Sequence, residues 1–126
     1  MTNLFIYGSL MSKTLFEWVG NTKMPATKTA YVTGFMKITS PYVPYPLLVR
    51  GPSKLVCSGL VMENVADPLF ERLVHYEGDG YTTESVVANL VGMRQKVDCL
   101  IFVPHGCYKM GWDLEKFDNK LKNGEI

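Results

Sequence analysis

Residues 82–91 (TTESVVANLV) and 94–103 (RQKVDCLIFV) both read as long strands, with only Gly92-Met93 between them. A turn that short makes an antiparallel hairpin. The hairpin commits much of the chain to sheet, and the preceding segments follow suit. Residues 2–8 form a buried-strand run that breaks at Gly8-Ser9. From Thr27 to Ser40, Ala30, Val32, Gly34, Met36 and Ile38 alternate with Tyr31, Thr33 and Phe35, a strand period with a bend expected at Gly34. Four prolines between Pro41 and Pro52 predict a rigid loop carrying Tyr42 and Tyr45, then a short edge strand at Leu47–Arg50. Tyr45 either lines a pocket or covers the core. Residues 54–62 resume as strand.

Helical signals are brief. Ser12 caps a segment in which Leu15, Phe16 and Val19 share a face, and Gly20-Asn21 stops it. Asp67-Pro68 opens a second helix as cap and first helical residue, with Leu69, Phe70, Leu73 and Val74 as its buried face. Trp112, Leu114, Phe117 and Leu121 mark a terminal helix that packs on its own domain or forms a homodimer contact. The order β-α-β-β-β-α-β-β-α predicts a single α+β domain over residues 1–126. Its sheet curls into a small mixed, mostly antiparallel β-barrel with short flanking helices.

Composition narrows the function classes. A net charge of +1 with scattered lysines and arginines gives no nucleic-acid footprint. No apolar run reaches the ~18–20 residues of a membrane helix. The N-terminal residues lack the features of a signal peptide, and the 3 cysteines suit reduced thiols, so a cytoplasmic protein is expected. Cys99-x5-His105-x-Cys107 matches no common zinc spacing, and no metal is expected. Ser9 sits in no G-x-S-x-G elbow, which argues against a serine hydrolase.

Two stretches can carry chemistry. Glu77 ends an apolar helix face between Tyr76 and Gly78. The partial negative charge of a helix C-terminus and burial against Tyr76 and Tyr81 both disfavour its ionised form, moving it toward the range useful for general acid–base work. The Gly8-Ser9 turn can aim backbone N–H groups and a hydroxyl at an anion, or it can be an ordinary strand–helix turn.

YGSL at residues 7–10, YPLLV at 45–49 and EGDGY at 77–81 together resemble the γ-glutamyl cyclotransferase-like family, including γ-glutamylamine cyclotransferase-like proteins, over roughly residues 3–103. The paired signature is YGSL with L-x-x-[FY]-E-G-x-x-Y, the latter carried by Leu73, Tyr76, Glu77, Gly78 and Tyr81. The resemblance implies a small barrel and cleavage of a γ-glutamyl amide by its own α-amine, releasing 5-oxoproline and a free amine without a cofactor. It implies Glu77 as the acid–base residue and Tyr7, Gly8, Ser9 and Leu10 as the loop that holds the glutamyl head group. Tyr45 and Tyr81 are further substrate-contact candidates. The expected partner is a small γ-glutamyl amine or peptide, with the protein a monomer or homodimer. The alternative is a catalytically degenerate member that binds a small metabolite or partner without turnover.

Overall fold

The computed structural model describes residues 2–38, 47–104 and 108–109. Tyr42, Tyr45, His105, Cys107 and the segment expected as a terminal helix lie outside the described residues. Strand β1 (Thr2–Ile6) leads through a 3-10 turn (Ser9–Met11) into helix α1 (Lys13–Gly20). Strands β2 (Lys28–Thr33), β3 (Phe35–Ile38), β4 (Leu47–Arg50) and β5 (Val56–Val65) follow. Helix α2 (Asp67–Glu77) precedes the hairpin of β6 (Tyr81–Leu90) and β7 (Lys96–Pro104), and β8 (Tyr108–Lys109) is a short last strand. The order β1-β5-β2-β6-β7 closes into a barrel, while β3-β4-β8 forms a separate three-stranded sheet. Barrel neighbours run antiparallel except β1 and β7, which pair in parallel at Leu4–Leu100 and Phe5–Ile101.

Alternation divides the apolar residues into two cores. Phe5, Val32, Val61, Leu90 and Ile101 point into the barrel, where Phe35 and Leu48 of the smaller sheet join them. Leu4, Ile6, Met62 and Phe102 point outward and are covered by Phe16 of α1 and by Leu69 and Leu73 of α2. Strand β1 is therefore buried on both faces. Cys57 and Cys99 belong to the inner core, and burial pushes both thiols up to about 11. No helix among the described residues is long and apolar enough to cross a membrane.

Several local expectations are revised. Gly34 has φ +83 and resets the strand parity, so Phe35 is buried where simple alternation would have buried Met36. Strand β4 pairs with both β3 and β8 and is central rather than an edge. Strand β5 continues past Met62 through a bulge at Asn64 (φ 57), whose N–H donates to the Asn3 side-chain oxygen at 2.9 Å. Ala66 is the N-cap of α2, with Asp67 already in the first turn, where its charge suits the helix N-terminus. Val74 stands 40% exposed, outside the buried face of Leu69 and Leu73. The expected Ser12 cap of α1 is present, accepting from the Leu15 N–H, and Arg72 of α2 donates to the Gly20 carbonyl at the other end.

Gly59 fixes how closely β1 and β5 approach. A Cβ there would lie 2.3 Å from the Ile6 carbonyl oxygen and 2.7 Å from the Phe5 ring. Backbone cannot move aside cheaply, so Gly59→Ala is expected to destabilise the fold by about 1–3 kcal/mol. At Gly20 the obstacle is only a Leu69 methyl at 2.6 Å. Gly20→Ala should stay within about 1 kcal/mol of wild type, because helix propensity offsets the repacking. Urea midpoints of the two variants test the contrast.

Candidate active site

The end of β1 sets one wall of the site. Tyr7 packs against the inner core, and its hydroxyl donates to the Phe102 carbonyl at 2.6 Å, tying the turn to β7. The Tyr7 carbonyl accepts a hydrogen bond from the Lys37 ammonium at 3.2 Å, so a positive charge from β3 stands beside the turn. The 3-10 ladder begins with Met11 N–H donating to the Gly8 carbonyl and Ser12 N–H to the Ser9 carbonyl. The amides of Ser9 and Leu10 precede that ladder. Leu10 is buried in the outer core and anchors the turn from below. Among the described residues, a methyl group on Gly8 would meet no atom within 4 Å beyond its chain neighbours, so the backbone there is open to a ligand.

Helix α2 supplies the facing wall. Its buried residues Leu69 and Leu73 press it onto the barrel, and it ends at Glu77, where the Gly78 N–H donates to the Val74 carbonyl. Gly78 has φ +78, turning the chain sharply toward Tyr81 at the start of β6. The Tyr76 hydroxyl lies 3.3 Å from Ser9 Oγ and joins the two walls. Between them is a cavity of about 500 Å³, lined by residues 5–10 with Tyr76, Glu77, Tyr81 and Phe102.

Glu77 is half-buried, and desolvation raises its pKa above the ordinary carboxylate value. Its carboxylate has no hydrogen-bond or ion-pair partner among the described residues. A carboxyl group held this way keeps its proton to higher pH than an exposed one and can exchange it with whatever occupies the cavity.

The structure brings Tyr7, Gly8, Ser9, Leu10, Glu77 and Tyr81 to one cavity, and Tyr45 lies outside the described residues. Sequence reasoning left Phe102 and Lys37 out of the site. Phe102 reads as one more strand residue until the parallel β1–β7 pairing carries it beside Tyr7. Lys37 reads as a solvated strand position, and only its bond to the Tyr7 carbonyl reveals its place. Tyr76 was expected to bury Glu77, but its bond to Ser9 was not foreseeable from residues so far apart in the chain. Among the described residues no group of three or more His, Cys, Asp or Glu side chains could hold a metal ion.

Comparison with known proteins places this geometry in context. Comparison with the curated proteins gives no significant sequence match. A solution structure from Arabidopsis thaliana superposes with TM-score 0.74 at 22% identity, covering 98% of this chain and 75% of that one. A crystal structure of an AIG2-like protein from Mus musculus gives TM-score 0.68 at 14% identity, covering 91% of this chain and 81% of that one. A yeast γ-glutamyl cyclotransferase specific to glutathione gives TM-score 0.63 at 14% identity, with 95% and 76% covered. At these identities the likeness is one of fold. The sequence itself matches the family model described as "Gamma-glutamyl cyclotransferase, AIG2-like" from residue 4 to residue 120, and the chain belongs to that family.

Proposed function

We propose that this protein is a cyclotransferase acting on a γ-glutamyl amide, with Glu77 as its general acid–base. The observation that carries the reading is a half-buried carboxylate, without a partner among the described residues, sharing one cavity with the turn at residues 7–10. The glutamyl head group sits against that turn, its carboxylate taking the Ser9 and Leu10 amides with the Lys37 charge close by. Glu77 accepts a proton from the substrate α-ammonium, and the freed amine attacks the δ-carbonyl. The new C–N bond closes the five-membered ring, the original amide C–N bond breaks, and Glu77 returns its proton to the departing nitrogen. Two protons in all pass from the attacking to the departing nitrogen, and no water is consumed. Holding attacker and carbonyl in contact supplies up to ~7–11 kcal/mol of barrier reduction.

Glu77→Gln should retain the fold and lose roughly 10²–10⁴-fold in kcat, the ordinary worth of a positioned acid–base group. The assay follows 5-oxoproline by mass spectrometry over a panel of γ-glutamyl amides. Silence of the wild type across that panel would instead support a binding module without turnover.

Burial also predicts a pH signature. Burial holds the folded pKa of Glu77 above that of an ordinary glutamate, so the basic form, and with it activity, develops only above the ordinary glutamate range. The sign for stability follows from the same shift. Below the unfolded pKa, Glu77 is protonated in both states and burial carries no charge penalty; that advantage is lost as pH rises through the folded pKa. Glu77→Gln should therefore be at least as stable as wild type at neutral pH, and any difference in thermal midpoint should shrink on acidification.

Gly8→Ala tests the turn. With φ −112 at Gly8 and open space around its Cα, the fold should be unchanged within about 0.5 kcal/mol. The added methyl occupies the ligand's side of the turn, and KM is expected to rise while thermal stability stays put.

A further inference from the structure

Glu77 lines two cavities. Besides the one it shares with the 7–10 turn, it lines a second of about 330 Å³, and Tyr81 and Phe102 are likewise common to both. Phe70 and Val74 of α2, Thr82 and Thr83 of β6, and Gly78 complete that lining. We infer that this second cavity receives the departing amine and is built for an uncharged, apolar one. The inference rests on the cyclotransferase reading, in which the scissile amide lies at Glu77 with the glutamyl head on one side. The leaving group must then extend away from the 7–10 turn, and the second cavity, which Glu77 also lines, is the space available to it.

The groove between α1 and α2, lined by Trp18, Glu71, Arg72 and His75, also adjoins the site. Among the described residues it shares Tyr76 alone with the first cavity and is not lined by Glu77, so an amide held at Glu77 is not directed into it.

The lining of the second cavity sets the chemistry of the amine. Glu77 is the one ionisable acid among its described lining residues, and they include no lysine, arginine or histidine. A leaving amine bearing a carboxylate would meet a like charge at Glu77 and no cation to offset it. One bearing a second ammonium would pair with Glu77 and hold it ionised, opposing the return of a proton to the departing nitrogen. An alkyl or aryl group does neither, and it removes apolar surface of Phe70 and Val74 from water.

Matched pairs of amides isolate charge from shape. The γ-glutamyl amide of 3-methylbutylamine is compared with that of leucine, which adds a carboxylate. The amide of pentylamine is compared with that of 1,5-diaminopentane, which adds an ammonium. The full-length protein should release 5-oxoproline from each neutral member with kcat/KM higher by roughly tenfold or more, within the range a shaped pocket delivers. In Thr83→Lys, an exposed position, the new cation should narrow the gap between the leucine and 3-methylbutylamine amides. Equal or preferred turnover of the charged members by wild type, or an unchanged ratio in Thr83→Lys, overturns the leaving-group assignment while cyclotransfer stands. No 5-oxoproline from any of the four amides overturns both.

Discussion

Everything at the site depends on strand β1 being buried on both faces. Phe5 faces the barrel interior, while Leu4 and Ile6 face the helices, and all three are essentially inaccessible to solvent. Such a strand needs partners on both edges and cover on both sides. It finds them in β5, β7 and the two helices. Gly59 lets β5 come close enough, and the parallel pairing with β7 closes the barrel. The chain leaving β1 must then turn at the barrel mouth, where the end of α2 is also held. The acid–base candidate and the turn at residues 7–10 meet because one seam positions both.

The same packing accounts for the electrostatics of Glu77. Leu73 is buried against the barrel and draws the last turn of α2 down with it, which takes the carboxylate partly out of water. A glutamate nearly two turns earlier on the exposed side, Glu71, remains at the surface. The difference between an ordinary surface acid and a candidate proton carrier is thus set by helix phase.

Much of this was legible in the sequence because it rests on local rules. The hairpin around Gly92, the Ser12 cap, the stop at Gly20-Asn21 and the limits of Leu47–Arg50 all follow from residue type and spacing. The barrel and the candidacy of residues 7–10 and Glu77 were also within reach, aided by family resemblance. What escaped depends on contacts between distant segments. Gly34 reverses parity through one positive φ, which alternation alone does not reveal. The Asn64 bulge is sustained by a side chain from β1, and the central place of β4 depends on β8 arriving much later in the chain. Val74 has the right residue type for a buried face but stands at the wrong angle, so it borders a cavity instead.

The hydrogen bond from Tyr7 to Phe102 spans 95 residues. During synthesis the 7–10 turn leaves the ribosome early, yet the strand that fixes it is made last among the barrel strands. At usual elongation rates the delay is roughly 5–20 s. Through that interval β1 is an apolar segment lacking both strand partners until β5 is made, and one of them thereafter. The nascent chain must keep it soluble, or pair it provisionally with β5, until β7 arrives to lock the mouth of the barrel.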